Sequence, residues 1–96
     1  MSTSGTMDIA GRSCGWVDFP TTKSRLLAIC GSKGMLGCGY FDLATADKLG
    51  EALAVVRGVS SIEEALEARV QDVSRAGQSL GIAAGMTGRE AMERLA

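Results

Sequence analysis

The stretch LLAICGSKGMLGCGYFD, residues 26–42, sets the fold class. Leu26–Cys30 is a nearly continuous apolar run, the pattern of a strand covered on both faces. Gly31-Ser32-Lys33-Gly34 is a short polar link, and apolar residues resume from Met35 to Phe41. Two apolar runs joined in this way predict a β-hairpin, with Gly34 able to take the left-handed backbone of the turn. Cys30 and Cys38 then become near neighbours across it. Alternation over 35–41 puts Met35, Gly37, Gly39 and Phe41 on one face, and Leu36, Cys38 and Tyr40 on the other. Two glycines on one face leave a shallow groove that a helix or another chain can approach.

Upstream of the hairpin, Met7-Asp8-Ile9 reads as a short strand ending in a turn at Gly11. Ser13 to Asp18 alternates loosely around Trp16 and Val17 until Pro20, which has no N–H to donate to a ladder. Downstream of Asp42 the period changes. Leu43, Ala46, Leu49 and Leu53 follow helical spacing, weakened by Gly50. Ala54–Val59 is β-branched and predicts a further strand. Ser60 and Glu63 fit a capping box. The apolar positions 62, 65, 66, 70, 73, 76 and 80 then permit one helix over 61–80, with Gly81 as its stop. Thr87-Gly88-Arg89-Glu90 is a second capping box, opening a last helix through Leu95. Strands first, then helices with one strand between them, predict an α+β fold. The expected form is a small, mostly antiparallel sheet with about three to four helices packed on one face.

The chain has 96 residues, enough for a single domain, here expected over 7–96 behind a frayed polar leader, MSTSGT, at 1–6. Apolar residues make up 46% and charged residues 22%, so a packed core is expected and disorder is not. Net charge is −1 with ten scattered basic residues, which argues against a nucleic-acid partner. No apolar run approaches the ~18 residues that span a bilayer, and the leader lacks the basic and apolar regions of a signal peptide. A cytoplasmic location and no membrane partner are therefore expected. There is no histidine, which excludes Ser-His-Asp and Cys-His catalysis and nearly every common zinc site. Three cysteines without a Cys-x-x-Cys spacing predict reduced thiols and no metal. The link at 31–34 is not a phosphate-binding loop, since no Gly-Lys dipeptide occurs. Gly37-Cys38-Gly39 is not a dinucleotide fingerprint, since position 42 is Asp. No cofactor is expected.

Three segments together, GMLGCGYFD, RGVSSIEEAL and LGIAAGMTGREAMERL, resemble domain-of-unknown-function family 1805, the YunC-like proteins of bacteria and archaea. The resemblance covers roughly residues 25–95. It rests on Cys-Gly-x-x-Asp at Cys38, Gly39 and Asp42, and on Gly-Met-Thr-Gly-Arg-Glu at 85–90. It implies an N-terminal β region that mediates tetramerisation, and no established activity. The chain departs from the pattern around Gly50, where the helix and loop are compressed, and residues 1–24 match only in character. The resemblance also implies a break near Ala68-Arg69, giving two helices where periodicity permits one.

The candidate site residues carry paired readings. Cys38 is either a small buried hydrophobe or a nucleophile, its thiolate favoured by Arg57 or Arg89 and its proton handled by Asp42. Asp42 is otherwise the N-cap of the next helix. Gly37 and Gly39 shape a groove; Thr87, Gly88 and Arg89 either hold an anion at a helix start or only cap it, with Glu90 competing for the same N–H groups. The leading reading is a homo-oligomeric binding or interaction module, up to a tetramer through the N-terminal strands, with a small anionic ligand. The alternative is a thiol-dependent enzyme with catalytic Cys38, Asp42 and Arg89.

Overall fold

The computed structural model describes residues 3–96. The strands are β1 (Thr3–Ile9), β2 (Arg12–Pro20), β3 (Arg25–Cys30), β4 (Gly34–Gly37), β5 (Ala52–Val55) and β6 (Asp72–Val73). The helices are α1 (Leu43–Leu49), α2 (Ile62–Glu67), α3 (Arg75–Ser79) and α4 (Gly88–Leu95). The six strands form one sheet in sequence order, antiparallel throughout except for the parallel pair β4–β5. The fold is α+β, as expected. The parallel pair needs a crossover connection, and α1 is that crossover.

The first hairpin starts earlier than expected. Thr3–Thr6 do not fray; they pair with β2 from Thr3↔Asp18 onward. The cause is the turn: Ala10 and Gly11 have φ of 53° and 79°, a two-residue left-handed pair whose twist matches the strands it joins. The leader residues Met1 and Ser2 lie outside the described residues.

The second hairpin forms, but Cys30 and Cys38 are not near neighbours across it. Cys30 pairs with Met35, while the Cys38 amide donates to the Leu27 carbonyl at 3.0 Å. The two cysteines therefore sit at opposite ends of the hairpin. Gly34 does not adopt the left-handed region. Its missing side chain is what counts, since a Cβ there would lie 2.7 Å from the Ala52 Cβ and 2.8 Å from Leu95 Cδ2.

Further along, α1 ends at Leu49, because Gly50 takes φ 75° and closes it; Leu53 consequently belongs to β5. The cap of α2 is Ser61, one residue later than expected, while the Glu64 carboxylate accepts from the Ser60 N–H at 2.9 Å. The long periodic stretch breaks after Glu67, as the family resemblance implies. The free edge of β5 is what breaks it. Gln71 and Ser74 donate their N–H groups to the Val55 and Leu53 carbonyls at 2.8 and 2.9 Å, and β6 forms there.

The helices occupy both faces of the sheet, not one. Ala52, Ala54 and Val56 face Leu27, Ile29 and Leu36 and the helices α2 and α4, through Ala65, Leu66, Met92 and Leu95. Leu53 and Val55 face the other way, onto Ala46 of α1 with Met35 and Leu43. A crossover between parallel strands must lie over one face, and a β5 that is apolar on both sides needs cover on both. No helix among the described residues is long and apolar enough to cross a membrane.

Candidate functional site

Because β4 and β5 are parallel, their carboxyl ends open in the same direction, and β3, antiparallel to β4, begins beside them. A cleft of about 500 Å³ lies there. Ser24 and Arg25 enter it from the start of β3, Cys38, Gly39 and Tyr40 from the end of β4, and Arg57 to Ser60 from the end of β5. Crevices at the carboxyl ends of parallel strands are where such sheets bind ligands, and cavities of roughly 300–1,000 Å³ hold small molecules.

Charge in the cleft comes from two arginines, each with a carboxylate partner. Arg25 Nε is 2.6 Å from Asp18 Oδ1, and Arg57 Nη2 is 2.8 Å from Asp72 Oδ2. Gly39 gives Arg57 room, since a Cβ there would stand 3.1 Å from Arg57 Nη1. At the rim, the Tyr40 hydroxyl lies 3.1 Å from Thr21 Oγ1, and its ring is exposed.

Cys38 lines this cleft at only 4% exposure. Its sulfur accepts the Leu27 N–H at 3.4 Å and stands 4.0 Å from the Arg25 carbonyl oxygen, to which the thiol donates. Both weak hydrogen-bonding capacities of the thiol are thus used by backbone.

Of the residues singled out from the sequence, the cleft brings together Cys38, Gly39 and Arg57. Gly37 is buried beneath the Phe41 ring, where a Cβ would lie 2.8 Å from Phe41 Cγ, so it fits a ring instead of opening a groove. Asp42 lies outside the cleft as the N-cap of α1, accepting the Thr45 N–H at 3.2 Å. The Thr45 hydroxyl, followed by the backbone N–H groups, holds its carboxyl below the ordinary range. Arg89 is also outside it, with its Nη2 3.7 Å from Glu67 Oε1 on the surface. Thr87 and Glu90 cap α4 reciprocally, at 3.1 and 3.0 Å, so those N–H groups are already partnered. Gly88 is buried where α4 crosses α2; a Cβ would meet Leu36 Cδ2 at 3.0 Å and collide with the Ala65 carbonyl. Cys38, Asp42 and Arg89 therefore do not assemble around one point.

Arg25, Tyr40, Asp18 and Asp72 complete the site without having been singled out. One signal existed: Asp18 and Arg25 are opposite charges flanking a turn, and the register makes them a diagonal cross-strand pair. No comparable signal links Arg57 to Asp72. Among the described residues no three Cys, Asp or Glu side chains gather as metal ligands.

A mixed sheet whose one parallel pair frames an arginine-flanked cleft defines a small α+β protein with a ligand-sized site. The chain belongs to the family described as Domain of unknown function (DUF1805), whose model matches residues 37–95. It is 31% identical over 77 residues to the uncharacterized protein YunC of Bacillus subtilis (strain 168), covering 76% of each chain. A crystal structure of a protein of unknown function from Thermoplasma acidophilum superposes with a TM-score of 0.96 at 30% identity, covering 100% of this chain and 94% of that one.

Proposed function

We propose that the chain is a cytoplasmic binding module that takes a small anionic molecule in the cleft between β4 and β5 and self-associates through β1 and β2, up to a tetramer. Neither a nucleic acid nor a membrane is its partner. The observation that carries the ligand reading is the pair of arginines, Arg25 and Arg57, in one cleft at the carboxyl ends of the parallel pair. Self-association is supported by the outer edge of β1, which has no strand beside it among the described residues, and by Phe19 on β2, half exposed. A row of unpaired backbone groups is normally covered by pairing.

A second reading, Cys38 as the nucleophile of a thiol-dependent enzyme, is favoured by its place in the cleft wall. Its burial and the absence of histidine weigh against it. Asp18 and Asp72, the carboxylates near the cleft, are already engaged by arginines.

A thermal-shift series with small carboxylates and inorganic phosphate tests the binding reading, because a ligand that binds only the folded state raises the melting temperature. At least one anion is expected to stabilise the wild type and Cys38→Ser alike, and Arg57→Gln to reduce that effect by about tenfold in ligand concentration. In native alkylation followed by mass spectrometry, the exposed Cys30 is expected to react before Cys38. Rapid labelling of Cys38 in the folded protein, together with anion affinity lost in Cys38→Ser, would move the assignment to the enzyme.

A further inference from the structure

The balance of charge and the free donors in the cleft define its ligand more narrowly. This step rests on the binding reading above. The two arginines and their partners, Asp18 and Asp72, cancel in formal charge, so the cleft offers little net attraction to a compact dianion. What it offers instead is directed donors. Arg25 meets its carboxylate through Nε and Arg57 through Nη2. Among the described residues no other group hydrogen-bonds either guanidinium, which leaves both Nη groups of Arg25 and the Nε and Nη1 of Arg57 open. Each carboxylate holds its guanidinium in place before any ligand arrives, which reduces the entropy lost on binding. A guanidinium presents planar, forked donors that match a planar carboxylate.

Among the described residues the remaining wall carries no further charge. Ser24 and Ser60 contribute neutral polar groups, Cys38, Gly39, Gly58 and Val59 line the rest, and the Tyr40 ring stands at the rim with its hydroxyl anchored to Thr21. That ring is 56% exposed in a chain with four aromatic residues, and an apolar ligand would cover it. We propose that the cleft binds a small monocarboxylate with an apolar or aromatic body, its carboxylate taken by the open donors of Arg57 and Arg25 and its body against Tyr40 and Val59. Asp72 and Asp18 are positioning residues in this arrangement, because they act through the arginines.

The test is isothermal titration of the full chain with benzoate, phenylacetate, acetate, inorganic phosphate and benzamide. Benzoate or phenylacetate is expected to bind at least about tenfold more tightly than acetate, phosphate or uncharged benzamide. Tyr40→Ala is expected to remove the preference over acetate, and Arg57→Gln the preference over benzamide. Asp72→Asn supplies a readout that a purely structural role would not move. It adds one unit of positive charge, so phosphate should gain on benzoate while the melting temperature and circular dichroism stay near wild type. Phosphate binding as tightly as benzoate in the wild type overturns the monocarboxylate assignment and leaves the anion-binding reading standing. Benzamide equal to benzoate also overturns it, because the arginines would then not be reading the ligand. If no probe binds a chain with a native melting transition, the binding reading itself falls.

Discussion

Ser74 is the one buried polar side chain among the described residues. It is completely buried. Its hydroxyl donates to the Glu51 carbonyl at 2.7 Å and accepts the N–H groups of Leu53 at 2.8 Å and Gly77 at 3.2 Å. One oxygen thus ties β5 to the segment after β6 and caps α3. Ser74→Ala would leave buried donors and an acceptor without partners, each costing about 1–3 kcal/mol, and would remove a helix cap. The expected loss is at least about 3 kcal/mol, a fall in melting temperature of roughly 10 °C or more for a domain of this size. Calorimetry checks it, and a change under about 1 kcal/mol would mean that water replaces the hydroxyl. The residue was legible only as one serine in an apolar periodic stretch, because its importance depends on β5, over twenty positions earlier in the chain.

At the scale of elements, the helices are short, seven residues for α1, six for α2, five for α3 and eight for α4. Helices of that length do not persist alone, so caps and packing hold them. Asp42 caps α1, and Glu90 closes the box of α4. Both carboxyls are held below their ordinary range, Asp42 chiefly by the Thr45 hydroxyl and Glu90 chiefly by the Thr87 backbone N–H. The folded chain therefore binds these two protons more weakly than the unfolded chain. Their stabilising effect is full above the ordinary carboxylate range, near pH ~4, and fades as pH falls through the depressed folded values. The variant Asp42→Asn/Glu90→Gln keeps side chains that can accept the same bonds but removes both titrations. Its stability is expected to fall less steeply than wild type between about pH 5 and pH 2, measured by denaturant melts at each pH. An unchanged acid slope would remove the two caps from the account. These capping signals were legible in advance because a cap is an interaction within four residues. The exception, Ser61 in place of Ser60, shows the limit: adjacent serines are equivalent in sequence, and the exit direction of the loop chooses between them.

At the scale of the whole molecule, the two ends of the sheet differ. The β6 end is short, two residues, and tied down by Ser74. The β1 end is a seven-residue edge with most side chains exposed, next to a half-exposed Phe19. Self-association at that end predicts that light scattering at micromolar concentration gives a mass above one chain. Phe19→Lys, which places a charge on the patch, is expected to shift the mass toward the monomer without changing the fold. A wild-type chain that runs as a monomer across the same range would remove self-association from the proposal and leave the cleft untouched.

Features set by short-range physics were legible in the chain before any packing was known. The apolar runs marked β3, β4 and β5, Gly11 and Pro20 bounded the early strands, and Thr87 with Glu90 opened the last helix. The chain also carried enough of the family pattern to imply a break near Ala68-Arg69, where α2 ends at Glu67. Beyond the β3–β4 hairpin, tertiary packing set the strand order, the parallel run of β4 and β5, and the cover of helices on both faces. Periodicity reports which side of an element is apolar, not which partner covers it. The cleft belongs to that second category. Arg25 and Arg57 are far apart along the chain and meet beside Cys38 because the ends of β4 and β5 and the start of β3 converge there. The contact between the Cys38 sulfur and the Leu27 amide depends in the same way on the pairing of β3 with β4.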